Sequence, residues 1–228
     1  MRKPLCYDGY CGLGGWADGF LAEGWRIVGF DNIEQPTYPG EFRLRDVSTI
    51  HGSELADADC LVLSPPCQEY SYRAMPWKRA KALPPPSNEL FDACFRIQRE
   101  ACEAAGRHIP LIVENVKGAQ PWVGRAKWHY GSFYLWGDVP VLMPSTRNGK
   151  VYAADNPDAF CWRKNGHTPP GIKQPGHSGR AWFADPDVAG HLSSKSPARK
   201  AASAQIAKIP FPLAQYIARC FLPVEVCV

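Results

Sequence analysis

Short apolar runs separated by turns dominate the first half of the chain. Four of these runs have the length of buried strands, namely residues 3–7, 26–31, 59–64 and 110–115. They are nearly continuous in apolar residues instead of alternating with polar ones, which is typical of strands that are covered on both faces. Helical segments fall between them, so the pattern predicts an α/β fold with a mostly parallel sheet.

The clearest helical pattern covers residues 88–106. Its apolar positions recur every three or four residues and form one stripe: Leu90, Cys94, Ile97, Ala101 and Ala105. Gly106 then ends the helix. A shorter helix is predicted over 16–24, between the first two strands. We expect both helices to pack on the sheet.

The regular pattern stops near residue 138. Residues 138–195 are rich in Pro, Gly, Asn, His and basic side chains and predict a small irregular region. Helical character returns over 196–209, with Ser196 as the N-cap and Pro197 in the first turn, and again over 212–222. The sequence therefore predicts three parts: 1–137, 138–195 and 196–228.

Composition narrows the class of protein only modestly. The 228 residues suit one α/β domain with a small appendage, and the net charge of +4 permits a polyanionic partner without requiring one. The nine cysteines include no C-x-x-C pair, and Cys6, Cys60 and Cys94 are expected in the core. With no signal peptide and no membrane-length apolar run, a reduced, cytoplasmic chain is predicted. Nothing indicates an obligate protein partner, so a monomer is expected.

A glycine-rich turn follows the first strand. It holds Tyr10, Gly12, Gly14 and Gly15, and such a turn lets a ligand approach the backbone closely. Two acids are candidates to join it. Asp31 ends the second strand and suits ribose hydroxyls, and Asp46 opens the next segment and suits an adenine edge. Because the spacing is not G-x-G-x-x-G, a tight turn that binds nothing is an equally good interpretation of this stretch alone.

Two further strand ends carry reactive side chains. Cys67 follows the third buried strand, and Pro65 and Pro66 restrict the backbone before it. Glu114 lies at the end of the next strand, where desolvation is expected to raise its pKa, and Asn115 can fix the following turn. A structural cysteine and an ion-paired or capping acid are the commoner fates of such residues. Carboxyl ends of parallel strands share one edge of the sheet, which favours a common site instead.

Together and in this order, these stretches resemble the cytosine-C5 DNA methyltransferase family. The matching segments are DGYCGLGGWADGF for the methyl-donor loop, GFDN for the ribose-binding acid, PPCQEYS for the nucleophile motif, ENV, and QIAKIPFPLAQYIA near the C-terminus. The resemblance covers about 1–122 and 196–222. Compact members of this kind are similar to stand-alone enzymes of bacteriophages and prophages, which protect DNA from host restriction.

The resemblance implies a Rossmann-like, S-adenosylmethionine-dependent methyltransferase fold with a small target-recognition region at 138–195. Cys67 would attack C6 of a cytosine flipped out of double-stranded DNA, and Glu114 would hold N3 and the exocyclic amine. No metal is implied. The residues implied for the cofactor are Tyr10, Gly12, Gly14, Gly15, Asp31, Asp46 and Pro66. Those implied for the substrate are Gln68, Ser71, Arg73, Asn115 and Arg125.

The segment after Cys67 adds to this interpretation. Residues 68–87 predict a long loop with Arg73, Lys78, Arg79 and Lys81, which could contact phosphates. Basic residues interleaved with aromatic ones also occur in 138–195 and suit DNA contact. Such a small recognition region implies a short or loose target sequence.

Two departures from the family pattern keep alternatives open. The Q-x-R-x-R motif expected after ENV is missing, and Arg125 is the nearest candidate for its arginine. Near the C-terminus, Ala207 and Lys208 stand where the family has Gly-Asn. The alternatives are a tRNA cytosine-5 methyltransferase, a catalytically silent DNA-binding relative and a Rossmann-type oxidoreductase. A Rossmann-type oxidoreductase would not explain the PPCQ and ENV segments.

Overall fold

The computed structural model describes residues 2–75, 78–143, 146–147, 150–151, 204 and 207–223. Nine strands lie in these ranges: β1 (Leu5–Gly9), β2 (Arg26–Asp31), β3 (Glu41–Leu44), β4 (Cys60–Leu63), β5 (Leu111–Asn115), β6 (Trp128–Tyr130), β7 (Phe133–Gly137), β8 (Thr146–Arg147) and β9 (Lys150–Val151). The first seven form one sheet in the order β3-β2-β1-β4-β5-β7-β6, and β8 pairs with β9 alone.

The described helices connect and cover these strands. They are α1 (Gly15–Ala22), α2 (Gln68–Arg73), α3 (Lys78–Lys81), α4 (Glu89–Ala105), α5 (Gln120–Val123) and α6 (Phe211–Cys220), with 3₁₀ turns at Val47–Thr49, Gly52–Leu55 and Lys117–Ala119. None of these described helices combines the length and apolar character that crossing a membrane would require.

The parallel direction of the strands brings their carboxyl ends to one edge of the sheet. β1 runs parallel to both β2 and β4, and β4 runs parallel to β5, while β7 is antiparallel to β5 and to β6. The α/β class with a mostly parallel sheet is therefore confirmed. In such a sheet the carboxyl ends of neighbouring parallel strands form a crevice at one edge.

Each face of the sheet is covered by its own apolar core. On one face α4 buries Cys94, Ile97 and Ala101 completely. On the other, α1 and α6 cover the sheet with side chains that include Phe20 and Ile217. This two-sided cover is why the central strands are continuously apolar instead of alternating.

Two glycines allow the C-terminal segment to lie directly on α1. A Cβ on Gly15 would come within 2.4 Å of the Ile209 backbone nitrogen, and one on Gly19 within 2.4 Å of the Gln215 nitrogen. The indole of Trp25 adds a bond, donating to the Ala218 carbonyl over 3.2 Å. Residues separated by almost the whole chain thus form one continuous core.

Most of the sequence predictions for regular elements agree with the structure. The strands at 3–7, 26–31, 59–64 and 110–115 and the helices at 16–24, 88–106 and 212–222 all appear, with ends displaced by at most two residues. The prediction that Cys6, Cys60 and Cys94 lie in the core is confirmed. Most of the predicted helix at 196–209 and most of the region 138–195 lie outside the described residues.

Two predictions were wrong. Leu90 was placed on the buried stripe of α4 but is 37% exposed, because the first turn of this helix borders a cavity instead of the sheet. Residues 68–87 were expected to form a long loop and instead contain α2 and α3. The prolines at 84–86 lack the backbone N–H that a helix interior needs, so α3 ends before them.

Candidate active site

A cavity of about 380 Å³ opens at the carboxyl edge of β1, β2, β4 and β5. It brings together residues that are distant in sequence. The residues predicted for a site that line it are Tyr10, Gly12, Gly15, Asp31, Asp46, Pro66, Cys67, Gln68 and Glu114. The sheet edge therefore assembles the glycine turn, both acids, the thiol and the strand-end carboxyl around one space.

The glycine turn leaves its backbone open to this cavity. Gly12 has a φ of +47°, and a Cβ at that position would meet no atom within 4 Å. Tyr10 also has a positive φ, of 57°, which is uncommon for a residue other than glycine. Gly14 differs, because a Cβ there would lie 2.5 Å from the Pro39 ring; its contacts are with the protein and it does not line the cavity.

Asp31 fixes the turn from the end of β2. Its Oδ2 accepts a bond from the Gly12 nitrogen over 3.1 Å, and its Oδ1 accepts one from the Ile33 nitrogen over 3.0 Å. Each carboxylate oxygen has a second lone pair. Asp31 can therefore hold the turn in place and still accept a bond from a ligand hydroxyl.

Asp46 lies on the same wall and caps the 3₁₀ turn at Val47–Thr49. Its Oδ1 accepts bonds from the Ser48 nitrogen over 2.9 Å and from the Ser48 hydroxyl over 2.8 Å. The cap fixes the direction of the carboxyl group at the cavity wall, where its other oxygen can accept from a ligand donor.

Cys67 comes immediately before α2, at the point where the chain leaves β4. The Asn115 amide holds this turn by donating to the Pro65 carbonyl over 2.9 Å, and the Asn115 oxygen accepts from the Val116 nitrogen over 2.8 Å. Asn115 is 1% exposed and does not line the cavity. Its hydrogen bonds join the turn after β4 to the turn after β5. Contact of Asn115 with a substrate stays a prediction.

The thiol itself is half-buried. Burial raises the pKa of Cys67; a hydrogen bond with the Ser71 side chain lowers it, and the nearby Glu114 carboxyl raises it. Ser71 does not line the cavity, although its nitrogen also donates to the Cys67 carbonyl over 2.9 Å. At neutral pH the resting group is a thiol, so attack requires loss of its proton.

Glu114 is the buried acid of the site. Burial at the end of β5 raises its pKa to about 8, although a hydrogen bond with the Ser64 side chain opposes the rise. The Ser64 oxygen in turn accepts from the indole nitrogen of Trp16 over 3.0 Å. Glu114 is therefore largely protonated at neutral pH and can donate a proton or a hydrogen bond.

The segment after Cys67 is held by bonds within itself. Arg73 donates from Nε to the Pro84 carbonyl over 2.8 Å and from Nη1 to the Glu69 carbonyl over 3.0 Å, and Nη1 lies 3.2 Å from Glu69 Oε2. Its side chain is only 12% exposed. Arg73 thus ties the two ends of this segment together, while Lys78, Arg79 and Lys81 are exposed.

Arg125, the candidate for the missing family arginine, lies on the exposed connection between α5 and β6 and does not line the cavity. Its contact with the base stays a prediction. The structure also shows cavity residues that the sequence did not indicate: Trp16, Asn32, Ile33, Ser64 and Leu90. Ser64 directly follows β4, so the strand-end rule that selected Cys67 could have found it.

Comparison with known proteins places this arrangement in a family. The family model for C-5 cytosine-specific DNA methylases matches residues 6–121, which span every strand end around the cavity. The chain belongs to the C-5 cytosine-specific DNA methylase family. The mostly parallel sheet with helices on both faces is accordingly Rossmann-like, as the sequence predicted.

Solved structures that are similar to this chain share little sequence with it. They include a methyltransferase of Entamoeba histolytica, EhMeth (14% identity, TM-score 0.39, 54% of this chain and 41% of that chain). Dnmt2 of S. pombe has 15% identity and a TM-score of 0.35, and the match covers 52% of this chain and 36% of that chain. DNMT2 of Spodoptera frugiperda has 18% identity and a TM-score of 0.36, and the match covers 53% of this chain and 38% of that chain. The matched region thus spans less than half of each of these proteins. No curated protein matches the chain.

The proximity of Glu114 to Cys67 gives a test in the protein without ligands. Above its pKa of about 8, Glu114 is charged and disfavours the thiolate. Glu114→Gln removes that charge, so the pKa of Cys67 should fall. We expect iodoacetamide to alkylate Cys67 about 2- to 5-fold faster near pH 9 in this variant and equally fast near pH 6, where both side chains are neutral.

Mass spectrometry of the peptide that contains Cys67 would measure these rates separately from those of the other cysteines. The same peptide from Cys67→Ala gives the background. If the variant and the unsubstituted protein were alkylated at the same rate near pH 9 as well as near pH 6, this would contradict an electrostatic contact between Cys67 and Glu114.

Proposed function

We propose that this chain transfers a methyl group from S-adenosylmethionine to C5 of cytosine in double-stranded DNA, through a covalent bond to Cys67. One observation carries the proposal: a thiol and a protonated carboxyl from adjacent strand ends line the same cavity as the glycine turn. A cytosine and a methyl donor can therefore meet at one sheet edge.

The cavity suits the methyl donor, which when bound supplies an electrophilic methyl group on a cationic sulfur. Gly12 leaves open space beside the backbone, and Asp31 retains acceptor capacity for ribose hydroxyls. Asp46 offers an acceptor for an exocyclic amine. These two acids on the wall, Asp31 and Asp46, also favour a cation in the cavity.

Cys67 would begin the reaction on the base. The thiol first loses its proton to solvent water; the thiolate then adds to C6, and the electron pair of the C5–C6 double bond moves toward C5 and the N3 side of the ring. The turn held by Asn115 fixes the sulfur relative to the cavity, and displacement by about 1 Å can cost roughly a hundredfold in rate. A rigid strand end is therefore the right place for this group.

Glu114 would compensate the negative charge that the addition creates. Its raised pKa keeps the proton on the carboxyl near neutral pH, so it can donate to N3 as the ring becomes basic. C5 then takes the methyl group, a base removes the C5 proton, and the electron pair of that C–H bond restores the double bond. Cys67 leaves as thiolate, and Glu114 recovers its proton from N3.

Duplex DNA, the proposed substrate, has to expose the target base before the addition. Attack on C6 comes from above or below the ring plane, which stacking blocks in a duplex, so the base has to be flipped out. Lys78, Arg79 and Lys81 are exposed on the segment after Cys67, where they can contact the phosphates on either side of a flipped base. This supports a nucleic acid as the partner.

Covalent trapping tests the proposal. The protein is mixed with S-adenosylmethionine and duplex DNA of mixed sequence that contains 5-fluorocytosine, and the products are separated under denaturing conditions. Fluorine cannot leave as a proton does, so we expect an adduct that requires both the cofactor and Cys67. Cys67→Ala should form none.

A parallel reaction with tRNA containing 5-fluorocytosine separates the two nucleic acids. Adduct on tRNA alone would replace duplex DNA with RNA as the substrate. No adduct on either polymer would refute the covalent mechanism and favour a silent binding protein.

A further inference from the structure

Lys208 is an unexpected charge on the cavity wall. Among the described residues that line the cavity it is the one cation, opposite three acids. A lysine ammonium on this wall can bind an anionic part of a ligand.

The position of Lys208 is fixed from two sides. Its Nζ lies 2.7 Å from Oδ2 of Asp18 on α1, and the next residue, Ile209, packs its backbone against Gly15. Both charged side chains are about one-third exposed, at 32% for Lys208 and 36% for Asp18. Asp18 itself does not line the cavity. The carboxylate of Asp18 therefore holds the ammonium of a partly exposed side chain that lines the cavity.

We propose that Lys208 binds the carboxylate of the amino-acid part of the methyl donor, with Asp18 as its positioning residue. This inference rests on the proposed function. The donor carries two cationic groups, the sulfonium and the ammonium, for which the acids on the wall are suitable. It carries one carboxylate, and a lysine ammonium is a strong, charge-assisted donor to such a group.

A purely structural role is the competing explanation. Arg219 and Gln215 of α6 both bind Glu23 of α1, over 3.0 and 2.7 Å, and these contacts only attach α6. Lys208 and Asp18 could do the same. The two roles differ in one respect: an attachment contact affects every ligand of the cavity alike, whereas a carboxylate contact affects only ligands that carry the carboxylate.

Two ligands distinguish these roles by titration calorimetry. S-adenosylhomocysteine contains the amino-acid part, and 5′-methylthioadenosine lacks it. We expect Lys208→Met to weaken S-adenosylhomocysteine about 10- to 100-fold and to change 5′-methylthioadenosine less than about 3-fold. Lys208→Arg keeps the charge and should restore most of the affinity for S-adenosylhomocysteine.

Arg219→Met is the matched control, since it removes another ion pair that attaches the C-terminal segment to the region of α1, away from the cavity. It should leave the affinity ratio of the two ligands unchanged. Equal weakening of both ligands by Lys208→Met would overturn the proposal and leave an attachment role. Unchanged affinity for both would overturn it as well. Failure of the unsubstituted protein to bind either ligand would instead refute the proposed function, and this inference with it.

Discussion

Cys67→Ala is expected to lower the rate of methyl transfer by about 10⁴-fold or more. The other thiol on the described cavity wall, Cys11, is only 7% exposed, and burial holds its pKa well above the ordinary value, so it should not replace Cys67. Binding of S-adenosylhomocysteine should change less than about 3-fold, since the thiol follows β4 and contributes neither an ion nor a hydrogen-bond acceptor to the donor turn. Single-turnover transfer of labelled methyl groups and calorimetry measure the two quantities.

The double variant Cys67→Ala/Glu114→Gln should be no slower than Cys67→Ala. The carboxyl stabilises a charge that forms only after the thiol adds, so its contribution disappears with the thiol. Cys220→Ala provides the control, because this exposed cysteine lies on α6 outside the cavity and should retain normal turnover. A further large loss in the double variant would show that Glu114 acts independently of the adduct.

Glu114→Gln is expected to stabilise the fold, and by an amount that depends on pH. The ordinary pKa of a glutamate is 4.5, and burial raises that of Glu114 to about 8. Below pH 4.5 the carboxyl is neutral in both the folded and the unfolded chain, so it does not lower the free energy of unfolding. As pH rises, unfolding releases its proton, so stability falls until the folded-state pKa is passed. Above about pH 8 the loss is constant, on the order of 3–5 kcal/mol.

Glutamine has no proton to lose and avoids this cost. Urea unfolding should therefore give similar free energies of unfolding for both proteins near pH 4.5, and a more stable variant near pH 9. Asp8, also buried with a raised pKa, titrates in both proteins and cancels in the difference. Glu103→Gln, at an exposed site on α4, should show a difference independent of pH. A pH-independent difference for Glu114→Gln would mean that water reaches this carboxyl in the folded protein.

The sequence was sufficient to predict the parts of the site that depend on strand ends. Buried parallel strands are apolar throughout, so their ends are visible, and the residues that follow them must share an edge. Cys67 and Glu114 were found by this rule and do line one cavity. β2 was predicted with the observed bounds because a charged residue stands at each end, Arg26 and Asp31.

Other features depend on pairing that the pattern does not show. Three of the four residues of β3 are exposed, so this edge strand has little apolar signal, and β7 is recognisable only once its antiparallel partner β5 is known. Arg73 and Asn115 were predicted to contact substrate from their place beside the motifs. The structure shows a different role that the motifs did not indicate: their donors bind the Pro84 and Pro65 carbonyls, and such partners are set by the folded backbone. Substrate contact by either residue stays a prediction.

The close seating of α6 on α1 has a consequence for synthesis. Residues 6–121 hold the family match and most of the cavity wall, yet Ala207, Lys208 and Ile209 also line it. On the ribosome, Cys67, Glu114 and the glycine turn are therefore synthesised long before the C-terminal residues that complete the cavity wall. Until residue 209 emerges, the glycine face of α1 is uncovered and the cavity is open on that side. Catalytic competence should therefore appear only when the C-terminal segment has left the exit tunnel.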